Sequence, residues 1–506
     1  MEELKSLIEI VSLHKVKQIS IVGSKHYQNA APQQLYEKIL SGAIDSEEDI
    51  IKTFYGDSDN APAYAVRLKN KLKERLIDTL FFIDTNQKSF SDYNKAYFNC
   101  YKDLNAIKIL LGRSARRAAI PMAEKALRKA QEYEITDAVV MLATELRYHY
   151  GTIEGDIKKF EFYNNVLNKY MELMQIENQA DEYYSRIRMH FAKAKGSKPE
   201  LLRDSDKYLH HMQDILSKYD SYKLNFLYFL IYATHHELSY EYDKLLEISE
   251  KALDYFQKKQ HIISSVNIFS FKLRAFVSHL KLGHYTKAWG LGAECLQLAE
   301  VRPNNWLLTM EYLVILSFHT QTLQRAYNYY RQVLDYPDYN KQGSNIQERW
   351  RIYEAYIAYL IAIGKIAPDD SLSAGSFRVQ KFINEVPIYQ KDKQGANISI
   401  IVIQILLLLQ QQKYNAIIDR VEALRSYTHR YLRRDDTFRS NCFIRMLIEM
   451  ANCSFHKKAV LRKTDRYLAQ LKELPLQQAR QSAELEIIPY EVLWDFVLSH
   501  LDEEWH

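Results

Sequence analysis

Leu282-Gly283-His284-Tyr285-Thr286-Lys287-Ala288 runs on to Gly292, Cys295 and Pro303. Gly283 tolerates the left-handed backbone that closes a helix and Pro303 cannot continue one, so a helix is bracketed between them. Ala288, Gly292 and Cys295 stand four and then three residues apart, which places three small side chains on one face. A face this small lets a neighbouring helix approach closely. The same spacing precedes it at Leu245/Ser249/Ala252 and follows it at Ala326/Tyr330/Val333, the latter closed by Pro337. The unit of this stretch is therefore a pair of helices, repeated.

The pattern extends outward in both directions. Upstream it fits Ala119/Ala123/Ala126, Phe160/Asn164/Leu167 and Tyr208/Met212/Ile215, and downstream Val379/Ile383/Val386 and Ile417/Val421/Leu424. Successive first members lie from 37 residues apart (Tyr208 to Leu245) to 53 (Ala326 to Val379), about 43 on average. Ala119, Ala123, Ala126, Ala252, Gly283, Ala288, Gly292, Cys295, Ala326 and Val333 are the expected packing positions. One such pair cannot bury both its apolar faces, so stacking the next pair completes the core.

Composition agrees with helix throughout. Only 14 Gly and 10 Pro occur in 506 residues, against average usage of roughly 7% and 5%, which removes the punctuation that hairpins need. A net charge of +5 is too small for a chain that coats nucleic acid as a whole. Cys100, Cys295, Cys442 and Cys453 lie far apart without metal-type spacing and read as reduced thiols. The acidic start Met1-Glu2-Glu3-Leu4 is unlike a secretory leader, and the apolar run Ile398 to Leu409 is shorter than the roughly 20 residues a bilayer needs. A cytoplasmic protein without a membrane span is the expectation.

The N-terminal stretch is different. Residues 2–14 read as an amphipathic helix, and Val16 to Val22 is the one strand-like run. Ser46-Glu47-Glu48-Asp49 carries the residue types of a capping box, and from Pro62 a helix places Ala65, Leu68, Leu72, Leu76 and Leu80 at helical spacing. Residues 1–90 are expected to form a separate helical module, 91–470 the repeats and 471–506 C-terminal capping helices, with Tyr490 to Leu501 the last. A loop-like composition over Ala367 to Ser376 interrupts the series.

The turn Leu282–Ala288 with Gly292, Cys295 and Pro303, and the group Arg325-Ala326, Tyr330, Val333 and Pro337, resemble the second half of a tetratricopeptide repeat. Gly155-Asp156 before Phe160 resembles the same inter-helix turn. The first helix departs from the family pattern, with Lys272, Ala275, Phe276 and His279 at its signature positions, and the repeat exceeds the usual ~34 residues. The resemblance, over roughly residues 95–470, is to the degenerate long-helix relatives of that family (TPR-like). It implies a right-handed α-solenoid of antiparallel pairs that holds a partner protein on its concave face. Bacterial members of this class regulate effectors or transcription factors, so a scaffold, adaptor, sensor or regulatory subunit is implied.

No glycine-rich phosphate loop, GxSxG or HExxH occurs. The expectation is a non-enzyme without cofactor or metal. The adjacent pairs His210-His211 and His235-His236 point to different sides of a helix, and Cys453 with His456 lacks two further ligands. Two arginine clusters suit an acidic peptide or nucleic acid, because the guanidinium fork matches carboxylate and phosphate. One is Arg113, Arg116 and Arg117, continued by Lys125, Arg128 and Lys129; the other is Arg425, Arg430, Arg433, Arg434 and Arg439, read as a flank between two helices. The alternative is a nucleic-acid-binding regulator that uses Arg67, Lys71 and Arg75 on the basic helix 62–83.

Overall fold

The computed structural model describes Lys5, Ile8 and residues 31–56, 58–87, 90–193, 198–299, 303–337, 339–368, 378–385, 396–431, 438–479, 481 and 485–501. Among them no strand occurs and helices pack against their sequence neighbours. The strand-like run at Val16 and most of the 367–376 loop lie outside the described residues. The chain divides into two compact units, Met1–Gln175 and Ile176–His506, and the division falls within one long helix.

In the first unit, α1 (Ala31–Leu40) and α2 (Glu47–Phe54) pack on α3 (Ala61–Leu80) around Leu35, Ile39, Ile50, Leu68, Leu72 and Leu76. The start of α2 is set by a complete capping box: Ser46 Oγ accepts from the Asp49 amide, and Asp49 accepts from the Ser46 amide at 2.9 Å. Each bond satisfies a donor that the first turn leaves without a helical partner. Next come α4 (Asp92–Gly112), α5 (Arg116–Glu132) and α6 (Thr136–Tyr148), whose shared core includes Ile107, Ile120, Ala123, Ala126 and Leu142. A wide π turn over His149–Glu154 then leads through Gly155, at φ +70, into α7 (Ile157–Lys193). Its 37 residues span about 55 Å at 1.5 Å per residue.

The second unit continues with α8 (Lys198–Leu216) and then two classes of helix in alternation. The first of each pair are α9 (Tyr222–Ser239), α11 (Ser265–Lys281), α13 (Pro303–His319), α15 (Ser344–Ala362), α17 (Ala396–Gln410) and α19 (Phe438–Asn452). The second are α10 (Tyr242–Gln257), α12 (Tyr285–Ala299), α14 (Leu323–Leu334), α16 (Val379–Glu385), α18 (Tyr414–Tyr431) and α20 (Lys457–Glu473), and α21 (Tyr490–Ser499) closes the described chain.

One turn recurs along both units. After a helix, a residue with positive φ is followed by an amide that donates five residues back: Ala115 to Leu110, Glu241 to His236, His284 to His279, Thr322 to Ser317, Lys365 to Leu360, Lys413 to Leu408 and Phe455 to Met450. This is the Schellman closure of a helix. Glycine stands at that turn at Gly283 and Gly364, but Ser114, Tyr240, Gln321, Gln412 and Ser454 occupy the others.

The second helices bury a single stripe. On α10 it is Leu245, Ile248, Ser249, Ala252 and Phe256; on α12, Ala288, Gly292, Cys295 and Ala299; on α14, Ala326, Tyr327, Tyr330 and Val333. A further triplet, Val460/Thr464/Tyr467 on α20, is buried at the same four-and-three spacing. The stripe on α12 is tight, because a Cβ added to Gly292 would lie 2.7 Å from Leu313 Cδ2 of α13. Two of the first helices are apolar on nearly all sides: α17 is buried without interruption from Ile398 to Leu409, and α13 buries most residues from Leu307 to His319. A helix apolar all round must be covered on both flanks and on its remaining face.

Candidate functional site

Against α13, α17 and α19 lie described residues of the chain's own segment between α20 and α21. Its described residues are 474–479, 481 and 485–489. The sequence shows why it stays in place. Leu485-Glu486-Ile487-Ile488-Pro489-Tyr490 interleaves one carboxylate with large apolar side chains, and all except Pro489 are buried.

Main-chain carbonyls of this segment are held by side chains from several helices. Tyr242 Oη of α10 donates to the Gln481 carbonyl at 3.1 Å, Ser399 Oγ of α17 to Leu485 at 3.2 Å, and His319 Nε2 of α13 to Glu486 at 2.9 Å. Because a carbonyl only accepts, the His319 proton sits on Nε2. Nearer α20, Gln477 Nε2 donates to Tyr285 Oη at 3.4 Å beside the Gly283 turn.

The centre of the site is the ion pair of Arg439 on α19 with Glu486, 0% and 1% exposed. Arg439 grips the carboxylate with Nε at 3.0 Å and Nη2 at 2.8 Å, and Nη2 also meets Glu491 at 2.6 Å. Its Nη1 donates to the carbonyls of Leu471 and Leu474, which end α20. Glu486 accepts in addition from Gln481 Nε2 at 2.7 Å and from the Tyr490 amide at 2.8 Å. Both charges are therefore fully hydrogen-bonded, the condition under which a buried pair is tolerated. The Tyr490 ring stacks on Phe443 at 4.5 Å, and its hydroxyl lies 2.9 Å from Ser440 Oγ.

The electrostatics follow from burial. Burial opposes the charge of Arg439, but the bonds and fields of Glu486 and Glu491 outweigh it and raise its pKa. Burial pushes His319 down to about 4, helped by the charges of Lys281 and Arg439 and opposed by its bond to the Glu486 carbonyl, so the ring is neutral at pH 7. Burial also raises the Tyr490 phenol. In chemical terms the site holds irregular, non-helical main chain of this protein: neutral donors hold carbonyls, and one arginine fixes a carboxylate.

This placement corrects the reading of Arg439 as part of a flank between helices, since its guanidinium is the most enclosed cation of the site. Its anion is 47 residues away in sequence, so no local spacing could reveal the pairing. Of the same cluster, Arg425 is exposed with Nη2 2.5 Å from Asn452 Oδ1. The Arg430 side chain and residues Arg433 and Arg434 lie outside the described residues.

In the first unit, Arg113 and Arg117 are exposed and Arg116 is half-buried at the turn between α4 and α5, with its guanidinium 5.9 Å from the Tyr148 ring centre. On α3, Arg67 and Lys71 are exposed and Arg75 is half-buried, while the intervening Lys69 pairs with Glu47. The sequence reading missed Glu486, Tyr490 and His319. A carboxylate isolated among Leu485, Ile487 and Ile488 was the available signal.

The titratable pairs elsewhere have structural occupations. Ser205 Oγ lies 2.8 Å from His235 Nδ1, but Ser205 is buried and donates to the Leu202 carbonyl at 3.0 Å. His236 pairs with Glu241, and His456 spends the Nδ1 lone pair capping α20 through the Ala459 amide. Among the described residues no three His, Cys, Asp or Glu side chains converge as a metal site, and no helix is long and apolar enough to cross a membrane. No family model matches the chain, and neither a curated protein nor a solved structure is similar to it.

Proposed function

We propose that the protein is a non-enzymatic, TPR-like helical-repeat scaffold or regulatory subunit that acts in the cytoplasm and holds an extended segment of a partner protein. In this reading the pairs repeat at about 43 residues and wind right-handedly, and the inner surface is the face of the first helices. The observation that carries it is the seating of Gln481 and residues 485–490 by Tyr242, His319, Ser399 and Arg439. Side chains that grip main-chain carbonyls accept varied sequences, while Arg439 and the Tyr490 pocket add selectivity for charge and shape.

A photo-crosslinking residue placed at Tyr242, with one at exposed Lys251 on the outer face of the same helix, tests this in the native cell. A stoichiometric protein adduct from position 242 and none from 251 is expected. Recovery of nucleic acid in place of protein, abolished by charge reversal of Arg67, Lys71 and Arg75, overturns the reading.

A further inference from the structure

We infer that residues 485–490 act as a built-in competitor for the partner site, and that the partner is an acidic peptide presenting a glutamate followed four positions later by a tyrosine that opens a helix, as Tyr490 opens α21. The inference rests on the peptide-holding reading above and adds to it the ligand's chemistry and its control.

Arg439 sets the first requirement. Its guanidinium is enclosed and already meets Glu491 of α21, yet two of its five donors go to the Glu486 carboxylate. An occupant without that carboxylate leaves those donors unsatisfied in a dry site, which an exchange does not tolerate. Tyr490 sets the second: its ring covers Phe443 and its hydroxyl reaches Ser440 and, at 3.3 Å, the Leu485 carbonyl. An aromatic ring with a hydroxyl at its tip fits that slot. The large apolar side chains of Ile487 and Ile488 are buried between these two anchors and define an apolar spacer, with Leu485 buried just before the first. By contrast Ser399 and His319 touch only main chain and place no demand on the occupant's side chains.

The control follows from connectivity. The resident segment is joined to α20 by residues 474–484 of the same chain, so it competes at the high effective concentration of a short linker. The resting protein is therefore closed, and an incoming peptide wins by matching both anchors or when the resident carboxylate is weakened.

A fluorescein-labelled synthetic peptide of residues 479–501, titrated into the full chain and read by anisotropy, tests this. Glu486→Gln in the chain weakens its own segment, and the variant is expected to bind the wild-type peptide at least about tenfold more tightly than the wild-type chain does. The same peptide carrying Glu486→Gln is expected to lose that gain. If circular dichroism shows that the Glu486→Gln chain has lost helix, Tyr490→Phe in the chain, which removes only hydroxyl bonds, is the variant to titrate. Equal affinity of wild-type and variant folded chains, or uptake of the altered peptide as tight as the wild type, overturns the inference. So does conversion of the variant to a dimer without peptide uptake, since the occupant is then a second copy. A partner adduct at Tyr242 that excess peptide does not displace sinks this inference and leaves the peptide-holding function standing.

Discussion

The two classes of helix in the second unit differ in composition and in what covers them. Second helices such as α10 and α14 bury one stripe and turn charged side chains outward, where Glu247 meets Lys251 and Asp254 meets Lys258. First helices such as α13 and α17 bury nearly every residue, including Glu311, His319, Ser399 and Gln404. The difference teaches that a face without water is where polar groups acquire consequence: each one there needs a partner, and Arg439 finds its own in Leu471, Leu474, Glu486 and Glu491, His319 in the Glu486 carbonyl.

The largest test of that contrast is Arg439→Met. It strands Glu486 in the core and is expected to lower stability by about 3–5 kcal/mol in urea unfolding, whereas Arg445→Met, exposed on the same helix, stays within about 0.5 kcal/mol. Equal losses break the comparison.

Acidification comes next. His319 has a folded pKa near 4 against an ordinary 6.5, so only the unfolded chain takes up its proton as pH falls between those values. Its contribution is complete above about pH 6.5 and is lost toward pH 4. At 1.36 kcal/mol per pH unit that amounts to about 3 kcal/mol. Urea midpoints measured at pH 7.5 and 4.5 should differ in the wild type and differ less in His319→Gln.

A matched pair on α12 sharpens the picture. Gly292→Ala drives a Cβ to 2.7 Å from Leu313 and 3.3 Å from Phe276, and overpacking of this kind costs about 1–3 kcal/mol. Gly290 has open space around it, so Gly290→Ala should stabilise by up to about 1 kcal/mol through helix propensity. Opposite shifts of the thermal midpoint are the expected outcome. The smallest effect is on the outer face, where Lys251→Ala breaks an exposed pair with Glu247 and should leave the midpoint unchanged within error.

Much of the local structure was legible. The capping box at Ser46 and the buried run from Ile398 to Leu409 follow from spacing and composition alone. The turns were harder to read. Gly42, Gly283 and Gly364 mark such a closure with glycine, while Tyr240, Gln321 and Gln412 adopt the same left-handed backbone without it. Tertiary packing holds them there against roughly 1–2 kcal/mol of local strain each, which no single-residue preference predicts. For the same reason Val460/Thr464/Tyr467 escaped notice: its threonine and tyrosine look polar in sequence and become interior only through their neighbours.

By itself the amino-acid sequence determined that this chain is helical, that its helices pair, and which small residues face a neighbour, because helix period and side-chain size act over a few residues. Only the tertiary structure decided what covers the first helices and which anion Arg439 meets. Burial of an apolar face is satisfied by any apolar cover, so the choice of Leu485–Tyr490 depends on how the whole unit brings α13, α17 and α19 to one segment.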